Sequence, residues 1–190
     1  MPDGASPILR VRVSRGTRAD LEALRGFHYC SGRPSPPVVV LRARVGRELA
    51  GVLAVGMPTL NGWWRREGFG PGFAGPGRAT ARRLNASVRL ISRVIVDPRF
   101  RGLGVAASLV RAYLARPLTP RTEAVASMGA FCPLFTAAGM REVPPRIPAR
   151  DARLCRDLRA LGLCAHSLAE PARARQRLRA CAALRRAVRA

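Results

Sequence analysis

The sequence predicts an α/β domain followed by a basic helical tail. Residues 38–55 read as two strands joined by a turn at Gly46, and residues 88–115 read as a strand, a glycine turn and a helix. Past Pro144, Pro145 and Pro148 the pattern becomes that of arginine-rich helices. These observations set the expected division into a body, residues 1–143, and a Pro-rich linker with its tail, residues 144–190. A chain of 190 residues, 48% of them hydrophobic, is long and apolar enough to bury one real core.

The elements follow in order. Ile8–Val13 alternates apolar residues with arginine, the period of a half-buried strand. Thr17, with Asp20 three residues on, starts a helix expected over 18–27, with Leu21 and Leu24 inward. Ser31–Pro37 is a turn-rich loop. Val38–Arg44 and Leu49–Val55 make an antiparallel pair. Residues 58–80, rich in glycine and proline, read as a long loop carrying Trp63 and Trp64, either a stacking or lid surface or a pair that packs the loop onto the body. Val88–Val96 is the most strand-like run, stopped by Asp97–Pro98, and a helix follows over 105–115. Glu123–Ser127 is a further strand, Pro133–Ala138 a short helix ended by Gly139, and Val143 opens a last strand. In the tail, helices are expected over 150–161 and 171–188.

Charge excludes some chemistry and invites other chemistry. All 34 basic residues are arginine, against 11 acids, a net charge of +23. Without lysine there is no Schiff base and no P-loop lysine. A surface this basic attracts phosphates. Residues 141–190 hold 13 arginines and four acids, so the tail reads either as a nucleic-acid grip or as a solvated basic face. Cys30, Cys132, Cys155, Cys164 and Cys181 form no CxxC pair; they read as buried free thiols, and no metal site is expected. Met1–Pro7 has no basic-then-apolar leader, and Leu49–Met57 is too short to span a bilayer. The expectation is a cytoplasmic protein without a membrane partner.

The chemistry concentrates in Ile91–Leu114, ISRVIVDPRFRGLGVAASLVRAYL. A strand runs into Arg101-Gly102-Leu103-Gly104-Val105-Ala106, which opens a helix. Glycines let the backbone bend and let a ligand approach, and the first helical amides point outward with the positive end of the helix dipole. A diphosphate is the natural guest. The segment is neither a Walker A loop nor a dinucleotide fingerprint.

This segment resembles the coenzyme A motif of the GNAT acyltransferase superfamily: Arg or Gln, two residues, Gly, one residue, then Gly or Ala. Arg101, Gly104 and Ala106 fill those positions, and Val96-Asp97-Pro98 and Leu109–Val110 match the usual surroundings. The stretch EAVASMGAFCPLFTAAGM is similar to that superfamily's next strand and helix. The resemblance implies a mixed, mostly antiparallel sheet flanked by helices over residues 8–143. It also implies acetyl-CoA as co-substrate, lying between the strand that ends near Val96 and the strand Glu123–Ser127. Val94, Ile95 and Val96 would pair with the pantetheine arm, and amides of Arg101, Gly102, Leu103, Gly104, Val105 and Ala106 would hold the diphosphate. An amine would attack the thioester directly, so catalysis would be mostly positioning, with a base and an acid. FHYCSGRP and GMPTLNG add a narrower resemblance to GNAT-like domains fused to ABC-type ATPases and to Mom-type proteins, which modify adenine in phage DNA. Two further readings therefore stand beside acetyl transfer: a Mom-like enzyme acting on a DNA base, and a degenerate GNAT fold that binds nucleic acid without activity.

Many GNAT members carry a tyrosine, the acid for the departing thiolate, four residues before the helix-ending glycine. Here that position is Phe135, which leaves Tyr29, Tyr113 or water. His28 is a candidate base, or a structural contact at a helix end. Tyr29 is a candidate acid or stacking ring, and Glu123 a candidate base or a surface charge. Ser92 and Arg93 alternate faces of the long strand, so one points into the cleft; Arg93 buried there needs an acidic partner or a ligand. Arg101 is expected beside the diphosphate and His166 in solvent.

Overall fold

A computed structural model describes residues 10–28, 36–127, 129, 131–144, 149–160, 175, 176 and 179. The chain divides into two compact units, Met1–Val143 and Pro144–Ala190. The first is built on a five-stranded sheet in the order β1-β2-β3-β4-β5. The strands are β1 Val11–Arg15, β2 Val39–Val45, β3 Glu48–Gly56, β4 Val88–Val96 and β5 Arg121–Ala124. All neighbours are antiparallel except β4 and β5, which are parallel. This is the mixed, mostly antiparallel sheet flanked by helices that was expected.

Helix α1, Arg18–Ala23, starts on a complete capping box: the Asp20 amide donates to Thr17 Oγ1 at 3.2 Å, and the Thr17 amide to Asp20 Oδ2 at 2.7 Å. Leu24 ends it, and the rest of the expected helix is a separate 3-10 turn, Arg25–Phe27. β1 reaches Arg15 because all five of its residues pair with β2, from Val11↔Val45 to Arg15↔Leu41. Ile8 and Leu9 lie outside the described residues.

β3 is buried from Ala50 to Gly56, as a central strand covered on both faces must be. Its side chains alternate between two cores. Leu53 and Val55 join Ile91 and helix α4 (Val105–Leu114) through Val105, Leu109, Val110 and Tyr113. Val52 and Ala54 join Ile95 under Leu21 and Leu24. The sheet is thus a two-sided wall, α4 on one side and α1 on the other.

Residues 58–80 are not the loop the sequence predicts. They hold a short helix α2, Arg65–Gly68, a 3-10 turn, Pro71–Phe73, and the start of α3, Arg78–Ser87, which runs directly into β4. Phe73, Leu84 and Val88 form a small core of their own. After β5 comes α5, Leu134–Ala137. The strand expected at Val143 does not form: residues 141–144 are irregular, with no further strand to pair with among the described residues. In the second unit, α6 spans Ala149–Ala160. The helix expected over 171–188 falls outside the described residues apart from 175, 176 and 179. No helix of the described residues is long and apolar enough to cross a membrane.

Candidate functional site

Pairing between β4 and β5 runs only from Val88↔Arg121 to Ile91↔Ala124. β5 ends there while β4 continues to Val96. Along Ser92–Val96, the edge of β4 away from β3 therefore has no strand beside it among the described residues. Backbone N–H and C=O groups on such an edge can take an extended guest. Val94, Ile95 and Val96, the residues expected to pair with a pantetheine arm, all lie on this stretch.

A bulge precedes it. Ala54 faces Arg93 and Val55 faces Ile91, which leaves Ser92 as the extra residue. Ser92 Oγ donates to the Ala54 carbonyl at 3.1 Å, so this candidate hydroxyl is engaged in holding the bulge. Because Ile95 packs toward α1, Arg93, two residues earlier, faces the same side.

At the far end of β4, Asp97 caps the 3-10 turn Pro98–Phe100, accepting from the Arg99 amide at 2.9 Å and from Arg99 Nη2 at 3.0 Å. The Arg99 guanidinium, bonded to it, holds the Asp97 carboxyl below the usual aspartate range. Arg99 also reaches Glu48 at 2.7 Å, tying the turn to the start of β3. Residues 101–104 then turn into α4. Gly102 and Gly104 have φ of 79° and 75°, left-handed values that an L side chain adopts only with strain. Gly104 is the N-cap of α4 and no side chain caps it; the first amide to find a partner on Gly104 is that of Ser108, at 2.9 Å. The amides of Val105, Ala106 and Ala107 head the helix as donors without an intrahelical acceptor. Arg101 is exposed beside them, with Nη2 on the Phe27 carbonyl at 3.2 Å and Nε on the Val96 carbonyl at 3.3 Å. Leu103 is exposed on the same turn.

The Arg101 contact draws the 3-10 turn Arg25–Phe27 to this end of β4, which brings His28 to Arg93, Nδ1 against Nη1. A guanidinium has no acceptor, so Nδ1 accepts and a neutral ring carries its proton on Nε2. The Nδ1 of His28 is thus engaged by Arg93, the structural contact that was the alternative to a base. Tyr29 lies outside the described residues.

Glu123 is neither a surface charge nor an open base. Alternation with Ala124, which packs toward α4, turns it to the α1 side of the sheet, where it is 5% exposed. Oε1 takes Arg65 Nη2 at 2.6 Å; Oε2 takes Arg65 Nε at 2.8 Å and the Trp64 indole Nε1 at 3.0 Å. Arg65 is itself fully buried, and its Nη1 reaches the Leu60 carbonyl at 3.4 Å. The carboxylate is occupied in pinning residues 57–73 to β5. Of the two tryptophans, Trp64 is held in and Trp63 is 47% exposed, its ring edge-on to Trp64 at 6.1 Å. The sequence placed this pair in view, but Arg65, the residue that fixes it, carried no local signal.

Phe135 packs against the α4 core. Tyr113 is buried in that core, and its hydroxyl has no hydrogen-bond partner among the described residues. Cys132, expected as packing, is exposed: it stands ahead of α5, outside the apolar clusters. Among the described residues no group of His, Cys, Asp and Glu could hold a metal ion.

No family model matches this chain, and no curated protein does. Among solved structures it is similar to AAC(6')-Iy in complex with the bisubstrate analogue CoA-S-monomethyl-acetylneamine, at 15% identity and a TM-score of 0.46, covering 73% of this chain and 96% of that one. The same aminoglycoside N-acetyltransferase in complex with CoA gives 14% identity and a TM-score of 0.45, covering 72% and 96%. An aminoglycoside acetyltransferase, meta-AAC0020, from an uncultured soil metagenomic sample and in complex with sisomicin, gives 11% and 0.41, covering 73% and 92%.

Proposed function

We propose that this protein is a GNAT-type N-acyltransferase, moving an acyl group, acetyl first among them, from acyl-CoA to an amine. One juxtaposition carries the reading: the unaccompanied edge of β4 at Ser92–Val96 leads straight into a glycine turn and an uncapped helix start. The edge suits an extended amide-bearing arm, and the free amides of Val105 and Ala106 with Arg101 suit a diphosphate. Neither feature alone points to acyl-CoA; their order along one strand supports it.

Acyl-CoA would supply an activated thioester, and the amine would displace the CoA thiolate from the carbonyl carbon. The chain would contribute position above all. Phe135 leaves the usual acid's position without a proton donor, and His28, held against Arg93 at this end of β4, is the candidate group there. With Glu123 engaged by Arg65, water would take the amine proton.

The test is calorimetric titration of the nucleic-acid-free protein with acetyl-CoA. Micromolar binding is expected, and Gly104→Glu should weaken it by at least about a hundredfold, since the new carboxylate meets a diphosphate at close range. Nothing lies within 4 Å of where the new Cβ would sit, so the cost to folding is confined to the left-handed backbone. Unchanged affinity in folded Gly104→Glu protein would discard the site.

A further inference from the structure

We propose that the connection between β3 and β4, residues 57–87, is a binding surface for single-stranded nucleic acid, with Trp63 as the stacking ring and the arginines around it as the phosphate contacts. The proposal concerns a different surface from the β4 edge and holds whether or not acyl transfer occurs.

Three observations meet here. The first is an exposed indole with a rigid support. Trp63 is 47% exposed, while Trp64 behind it is bonded to Glu123 and lies 5.4 Å from the Arg65 guanidinium. The Arg65–Glu123 pair is bidentate and removed from water. Burying such a pair stabilises less than an apolar pair would, but it fixes direction, which packing alone does not. A Cβ at Gly62 would sit 2.7 Å from the Arg65 guanidinium, so the chain closes on this pair without slack. A ring presented for stacking needs such a mount; a ring that merely fills the core would be buried.

The second observation is charge of one sign. Residues 57–87 hold five arginines and a single acid, Glu67. Arg66, whose amide bonds the Trp63 carbonyl at 3.2 Å, is exposed, as are Arg78, Arg82 and Arg83 of α3. Arg141 joins them, with Nη2 on the Gly68 carbonyl at 3.0 Å. None of these five forms an ion pair among the described residues, whereas Asp20, Glu22, Glu48, Asp97 and Glu123 each have an arginine partner. Five acids of this unit are thus committed to other arginines, and the stretch carries an excess of cations, five arginines against Glu67.

The third observation is that α2, the 3-10 turn and α3 are one packed piece. Phe69 stacks edge-on with Phe73 at 5.9 Å, and the Arg83 and Arg121 guanidinium groups lie 5.9 and 4.5 Å from the Phe73 ring. Arg83 is therefore held against this piece, and Arg66, Arg78 and Arg82 project from its helices. An exposed aromatic ring among cations is what a single strand needs, because every base has a face to stack and every linkage a charge. Duplex DNA hides its base faces, so a single strand is the better fit.

Both tryptophans of the chain lie in this segment, so tryptophan emission excited at its red edge reports on it alone. Full-length protein is titrated with a labelled twelve-nucleotide oligo(dT), read by anisotropy and tryptophan quenching at several salt concentrations. Expected are binding with quenching, about tenfold weaker binding in Trp63→Ala, and a salt slope lowered by about 1.4 in the Arg66→Gln/Arg82→Gln double variant. Polyphosphate should compete without quenching, and Gly104→Glu should bind the oligonucleotide as the parent does. No binding, binding without quenching, quenching by polyphosphate, or affinity lost only in Arg153→Gln/Arg156→Gln on α6 would each overturn the proposal.

Discussion

The sheet and the β3–β4 connection are held by different physics. Around β3 the packing is apolar on both faces: Leu53 and Val55 under α4, Val52 and Ala54 under α1, each fully buried. Such contacts are non-directional and shared among many neighbours, so one substitution removes a fraction of the total. The connection has only a small core, Phe73, Leu84 and Val88, and is otherwise fixed by one carboxylate receiving three donors. Directional bonds hold a loop in one orientation with few atoms. They also concentrate the risk in those atoms.

That contrast can be broken at its most exposed point first. Glu123→Ala leaves the Arg65 charge buried without a partner, and removing one member of a buried pair costs about 3–5 kcal/mol. The loss should be regional: hydrogen exchange should accelerate across residues 57–87 and the tryptophan emission should shift toward the red, while β2 and β3 stay protected. Uniform loss of protection would mean that the two regions fold as one unit. Next comes Leu53→Ala, which cuts into the α4 core and should cost about 2–5 kcal/mol. Here the loss should be global, a lower chemical-denaturation midpoint with all probes moving together. A change confined to one face of β3 would contradict the shared-core picture.

The smallest effect sharpens the picture at the turn. The Asp97 carboxyl is depressed by its bonds to Arg99, so its folded value lies below its unfolded one. Its contribution is present above the ordinary aspartate range and is lost as pH falls through the lowered value. An Asp97→Asn variant should show a shallower fall in stability on acidification below about pH 4, a window set by the ordinary aspartate value. An identical acid profile would show that the pair contributes nothing to folding.

Much of this was legible in local pattern. β4 runs Val88–Val96 as the apolar run implied, because a buried strand's composition and the Asp97–Pro98 stop are both local. Thr17 and Asp20 form the capping box their spacing announced, and the glycine turn at 101–104 opens α4 at Val105. Helix α3 was not legible. Its one buried residue is Leu84 and its cap is Gly77, so it has neither an apolar stripe nor a capping side chain; Phe73 and Val88 supply its packing. Val143 shows the reverse case, a strand-like residue left in irregular chain.

The candidate site divides along the same line. Backbone-borne features, the edge of β4 and the amides of α4, depend on chain conformation, and conformation follows from glycine, proline and apolar spacing a few residues apart. Side-chain roles depend on who meets whom. Glu123 and Arg65 are 58 residues apart, and His28 and Arg93 are 65 apart. No local pattern encodes either pairing, and each bears on the chemistry of the residue involved: Glu123, a candidate base, is an anchor, and the Nδ1 of His28 is taken up by Arg93. Periodicity and turn residues sufficed for the strands and the glycine turn, because their causes are short-ranged. Only the folded chain, by bringing distant charges within hydrogen-bonding reach, decided what those side chains are able to do.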